Sequence, residues 1–166
     1  LNTLTAGPEI ALVIERLRTL ILSGMAFDDV CERITQYVEN TGLLFMLESM
    51  RNLENNGRVS PLVARMAGLL GIRVVGKASD KGDLEPLHKC RGEAKALTAI
   101  VEELKAAGLR RGSVWIAHCF NEAAAKRLQD QLEAQAPQTS VRIYPCGGLC
   151  SFYAEKGGLL VGYETE

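Results

Sequence analysis

Net charge is almost missing from these 166 residues: nineteen Lys and Arg stand against twenty Asp and Glu, a formal charge of −1. No basic stripe interleaved with aromatics occurs either, so the electrostatic footprint of a nucleic-acid partner is absent and none is expected. No uncharged apolar run approaches the ~20 residues that span a bilayer. The opening LNTLTAGPEI carries neither the basic nor the apolar region of an export signal, and the expectation is a cytoplasmic chain with no membrane span. Five cysteines, an odd number, suggest reduced thiols rather than a disulfide framework. Internal repeats, low-complexity tracts and interdomain linkers are also lacking. That predicts one domain over residues 1–166, long enough to bury its own core. The first residue is Leu1 rather than Met, so we expect a piece of a longer protein.

Signatures of catalysis are equally sparse. No G-x-S-x-G is present, and neither Ser60 nor Ser151 has a base beside it in sequence. Cys146 and Cys150 lie four apart, which is neither a zinc knuckle nor a redox dithiol, and no second pair matches them. Together with His118 and Cys119 they offer either a soft metal site or small buried hydrophobes, the common fate of free cysteine. The glycine-rich tail CGGLCSFYAEKGGLLVG lacks the order of a P-loop and of a dinucleotide fingerprint. It reads as a tight connection, or as backbone amides able to cradle a phosphate. His118, at a strand end, either points into the ligand crevice of an open α/β sheet or is a hydrogen-bonded core histidine.

What the sequence does contain is strongly patterned. Pro8 opens a helix whose apolar stripe runs through Ile10, Val13, Ile14, Leu17, Leu20 and Ile21 to Gly24. Asp28 and Asp29 open a second, with Val30, Ile34, Tyr37 and Val38 buried and Gly42 as its end. LLFML at 43–47 reads as a strand covered on both faces, and NNGR at 55–58 as a turn. Ser60 and Pro61 cap a helix whose wide apolar face is Leu62, Val63, Met66, Leu69 and Leu70. Strands follow at 72–76 and 113–119, separated by a helix on Leu97, Ile100, Val101 and Leu104. Asn121 caps a helix on Leu128 and Leu132, and VRIYP at 141–145 returns as a strand, making a β-α-β unit with parallel strands. LLVGYE at 159–164 adds a last strand. The fold class is α/β, a layered sheet with one parallel unit, covered by helices.

N-G-R-V-S-P at 56–61, ARMAGLLGI running into a strand, KCRGEAKAL at 89–97, and IAHC with Asn121 just beyond resemble the C-terminal domain of the DegV family of bacterial lipid-binding proteins. The opening segment LNTLTAGPEIALV also resembles the start of that domain, so the likeness extends from about Leu1 to Tyr163. The resemblance implies a two-domain parent that holds a long-chain fatty acid between its domains. It also implies that such a protein can be the non-catalytic acyl-carrying subunit of a fatty acid kinase, whose separate kinase subunit phosphorylates the bound carboxyl group. No cofactor is implied.

On this resemblance a permanent cation beside an apolar helix acquires a purpose, because a buried carboxylate must be paired and hydrogen-bonded. Arg58, Ser60 and the amides of the following helix would hold the head group, and Leu62, Met66 and Leu69 the tail. Arg91 would face the kinase. Read from the residues alone, Arg58 is equally a loop arginine bonded to a carbonyl or an acid. Where the family has G-T-H-T-G-P-G, this chain has Ser151 for a glycine, Phe152 for a threonine and Tyr153 for the histidine at the ligand's head group. A tyrosine hydroxyl donates one hydrogen bond but carries no charge. The N-terminal domain, absent from this sequence, would supply the other wall of the site. Two other readings stay open: a small-molecule or phosphate-binding enzyme domain using the glycine-rich tail and His118, and a dimerisation module.

Overall fold

The computed structural model describes residues 1–67 and 70–165. Two helices lead, α1 (Pro8–Leu22) and α2 (Phe27–Val38), followed by strand β1 (Thr41–Leu47). Two short helices, α3 (Arg51–Asn55) and α4 (Pro61–Ala64), precede the hairpin of β2 (Ile72–Ala78) and β3 (Leu84–Arg91). Then come α5 (Glu93–Ala106), β4 (Arg111–His118), α6 (Glu122–Gln135), β5 (Gln138–Pro145), α7 (Gly148–Ala154) and β6 (Leu159–Glu164). The six strands form one mixed sheet in the order β3-β2-β1-β6-β4-β5. Only β4 and β5 run parallel, around the expected β-α-β unit, and β6 inserts antiparallel between β4 and β1.

The side-chain period of two divides the central strands between two cores. Leu44 and Met46 of β1, Val75 of β2 and Leu159 and Val161 of β6 face α5 and α6, where Leu97, Ile100, Leu104, Leu128 and Leu132 are all but fully buried. Each such side chain contributes roughly 1.5–3 kcal/mol on leaving water. Phe45, Leu47, Val74 and Leu160 point to the other face, toward Met50, Leu53, Ala64 and Ala154. A third cluster joins α1 to α2 through Val13, Leu20, Val30 and Ile34. The five cysteines are free thiols.

Several expectations need correction. Gly42 does not end the second helix; α2 stops at Val38, and Gly42 lies inside β1 with the Tyr163 hydroxyl where a Cβ would stand. The helix expected from Pro61 is a single turn, ending at Ala64. Its Ser60 cap holds, but packing of Val63, Ala64, Met66 and Ala67 on the second core, rather than a continued helix, fixes the chain that follows. Leu69 lies outside the described residues, and Leu70 is fully exposed. Ile14 and Ile21 of the α1 stripe are both 58% exposed, because the helix turns Glu9, Leu12, Val13 and Leu20 inward; Val13 and Leu20 of the stripe are buried as expected.

Strand β3 was not apparent because Pro86 interrupts it. As an edge strand with a register shift opposite Gly76, it tolerates a residue without an N–H. Arg91 is the last residue of β3, directly before the Gly92 cap of α5. The glycine-rich tail is not a bare connection, since it forms α7.

Candidate ligand-binding site

A cavity of about 430 Å³ opens on the sheet face opposite α5 and α6, within the ~300–1,000 Å³ usual for small-molecule sites. Alternate residues Leu43, Phe45 and Leu47 of β1, with Leu160 of β6, form its floor. Leu53 of α3 and Leu149, Cys150 and Ala154 of α7 form one wall; residues 4–6 and the β2–β3 hairpin close the far end. The floor depends on Gly76: a Cβ there would come within 2.4 Å of both Phe45 Cζ and the Glu85 carbonyl oxygen. The Phe45 ring occupies the space that the glycine leaves.

Polar groups in this lining are few, namely Thr5, Arg58, Asp83 and the Tyr153 hydroxyl, together with the Cys150 thiol. The placement of Arg58 follows from local chemistry. Helix α3 ends in Asn56-Gly57, with Gly57 at φ 65°. The Gly57 N–H donates to the Glu54 carbonyl at 3.0 Å and the Arg58 N–H to the Leu53 carbonyl at 2.8 Å. This is the paired closure of a Schellman motif, which turns the chain sharply and delivers Arg58 to the cavity wall. Among the described residues the Arg58 guanidinium has no ion-pair or hydrogen-bond partner.

Tyr153 reaches the same cavity from α7, its ring edge-on to Phe152 at 5.1 Å. Asn52 ties the two helices together: its N–H donates to Glu155 Oε1 at 3.0 Å and its Nδ2 to the Phe152 carbonyl at 2.8 Å. Cys150, in the wall, and Cys146, at the end of β5, are thiols kept protonated. Burial pushes Cys150 up; burial first, then the neighbouring Cys150 and Cys119, raises Cys146 to about 12. Neither is a ready nucleophile at neutral pH.

Of the residues singled out in the sequence, Arg58, Tyr153 and Cys150 therefore meet at the cavity and the others stand outside its lining. The Ser60 hydroxyl accepts the Val63 N–H at 3.3 Å, and Leu62 on the same short turn is 78% exposed. Met66 packs against the second core beside Leu53, not into the cavity. The Ser151 hydroxyl donates back to the Gly147 carbonyl at 2.7 Å, so α7 itself consumes it. His118 is half-buried at the end of β4 with Nδ1 buried and unpartnered, outside the lining. Arg91 is exposed at the opposite end of β3 from Leu84, about 23 Å along the strand at its usual rise. Among the described residues no group of three or more His, Cys, Asp or Glu is placed to hold a metal ion. None of their helices is long and apolar enough to cross a membrane.

Sequence reasoning missed most of the lining. Leu43, Phe45 and Leu47 were legible as a buried strand, but the alternation that turns three of them to a cavity and two to the core is hidden in a continuous apolar run. Leu4, Asp83 and Leu149 carried no signal at all.

An α/β domain with a mixed six-stranded sheet and an apolar cavity bearing a single free guanidinium is the class that fold and site define. The DegV family model, described as an uncharacterised protein family, matches residues 1–166. The chain belongs to the DegV family. It is 46% identical over its full length to a DegV domain-containing protein of Streptococcus pneumoniae, of which it covers 59%. Among solved structures, the S. pneumoniae fatty acid kinase (Fak) B3 protein loaded with linoleic acid is 46% identical, with a TM-score of 0.97 over 100% of this chain and 59% of that one. A DegV family protein of Eubacterium eligens loaded with heptadecanoic acid is 39% identical, with a TM-score of 0.97 over 100% of this chain and 60% of that one. Both of these relatives hold a fatty acid in their solved structures. The chain thus spans about three fifths of the length of the relatives it matches.

Proposed function

We propose that this chain is the greater part of a fatty-acid carrier, with the acyl chain along β1 and the carboxylate at Arg58 and Tyr153. The observation that carries the reading is the unpartnered Arg58 guanidinium at the wall of an apolar cavity. A long-chain fatty acid supplies both complements at once, an apolar tail and an anion. A charge-assisted hydrogen bond to that anion is worth about 1.5–3 kcal/mol.

In this reading the protein performs no chemistry on its ligand, works in the cytoplasm and presents the carboxyl group to a separate kinase subunit. Likeness to the pneumococcal fatty acid kinase B3 protein supports the kinase context, and Arg91, exposed at a strand end, is the residue we assign to that partner. The full-length protein closes the cavity with a further domain: Leu149 lies in the lining yet is 66% exposed, so this part of the wall is open. The isolated 166-residue domain should accordingly bind fatty acids weakly, and submicromolar affinity for oleate in a calorimetric titration would count against a shared site. The enzyme reading finds no support in a lining that contains no histidine.

The decisive experiment is native mass spectrometry of the full-length protein purified from bacteria without added lipid, then denaturation to identify what is released. Stoichiometric fatty acid is the expected result. Protein that is empty and refuses added fatty acids would overturn the reading.

A further inference from the structure

The cavity has two unlike ends. Arg58 follows β1 and α3, and Tyr153 lies in the last turn of α7 just before β6, whose first residue, Leu159, pairs with Met46 near the carboxyl end of β1, whereas Ala78, Gly82 and Leu84 belong to the β2–β3 hairpin. Because β1 and β2 are antiparallel, with Leu47 opposite Val74 and Leu44 opposite Lys77, that hairpin tip lies beside the amino end of β1. The tip is held by its own hydrogen bonds: the Ser79 N–H to the Asp83 carbonyl at 2.8 Å, the Gly82 N–H to the Ser79 carbonyl at 2.9 Å, and the Asp83 N–H to Ser79 Oγ at 3.1 Å.

Leu4 is seated on this tip. A Cβ built on Gly82, whose φ is 81°, would stand 3.2 Å from the Leu4 carbonyl oxygen and 3.5 Å from Leu4 Cβ. Leu4 itself has φ 57°, a left-handed conformation that a leucine keeps only where its surroundings over-determine it. Its N–H is bonded to Asn2 Oδ1 at 3.0 Å. The side chain lines the cavity and remains 42% exposed, so it stands between the apolar interior and water. A side chain at Gly82 would crowd Leu4 by a few tenths of an ångström.

We propose that Leu4, seated on Gly82, is the tail stop of the acyl site and sets the longest chain the protein holds. This rests on the fatty-acid reading above, with the carboxylate at Arg58. Each methylene that reaches the stop gains burial worth about fourfold in affinity. The next one must either displace the Leu4 side chain or enter water, so affinity stops rising with length.

The test uses the full-length protein and an equimolar series of saturated fatty acids from lauric to docosanoic, with the bound fraction of each read by native mass spectrometry. Wild type should show a cut-off in length. Leu4→Ala should move it up by about two methylenes and Leu4→Phe should move it down, with the shorter acids bound as before. A cut-off that stays in place in both variants, while fatty acids still bind, would overturn the tail stop and leave the carrier reading standing. Failure of wild type to take up any fatty acid would overturn both. A thermal melt alongside separates a misfolded variant from a moved stop, and Leu4→Met, unbranched at Cβ and close to leucine in volume, should leave the cut-off near that of wild type.

Discussion

Asn52 on α3 and Phe152 on α7 are joined by a side-chain to carbonyl hydrogen bond of 2.8 Å across a hundred residues of sequence. That bond fixes the helix that carries the Arg58 turn against the helix that carries Tyr153. Replacing Asn52 by Ala should cost about 1 kcal/mol of stability, read as a lowered midpoint in urea with an unchanged slope. Fatty-acid affinity should fall with it, because the two head-group residues lose their common brace.

Two glycines should respond to alanine for different reasons. Gly57 has open space around its missing Cβ, so Gly57→Ala carries only the left-handed backbone penalty, about 1–2 kcal/mol. Gly76→Ala meets Phe45 and a strand carbonyl at 2.4 Å and must push one of them away. The second variant should lose more stability than the first in chemical denaturation, and it should also shrink the cavity and lower affinity for long acyl chains.

The thiols should sort by exposure and burial. Iodoacetamide at neutral pH, followed by peptide mapping, should label exposed Cys31 first and Cys119, Cys146 and Cys150 slowly. Stability carries the same signature. The folded Cys146 thiol holds its proton up to about 12, from an ordinary value of 9.0, so the unfolded chain ionises first as pH rises. Its contribution is fully present below about pH 9 and declines toward 12, and Cys146→Ala should flatten that part of the stability curve.

Arg58→Ala in the full-length protein should weaken fatty-acid binding by roughly tenfold to a hundredfold, the scale of a charge-assisted hydrogen bond. Tyr153→Phe should cost about twofold to tenfold, since only a neutral donor is lost. The methyl ester of the same acid, which has no anion, should bind wild type and Arg58→Ala nearly alike. Equal losses for acid and ester would show that Arg58 acts through the fold and not on a head group.

Short-range chemistry made much of this protein readable from its sequence. Pro8, Asn121 and the β-α-β spacing located α1, α6 and the parallel pair, and Asn56-Gly57 announced a turn that does present Arg58 to a cavity. These are local signals, because caps, periodicity and turn residues act on neighbours a few positions away. What lay beyond them was decided by contacts between distant segments. Pro86 hid an edge strand that exists because β2 pairs with it, and the reach of α4 was cut to one turn by packing on the second core. The cavity itself belongs wholly to tertiary structure: which face of β1 stays open depends on where α5 and α6 settle, and Leu4 reaches Gly82 only when the first residues of the chain fold over a hairpin some eighty positions away. Sequence determined the elements, since each forms from its own residues; their meeting produced the site, since burial rewards the whole assembly and no single segment records it.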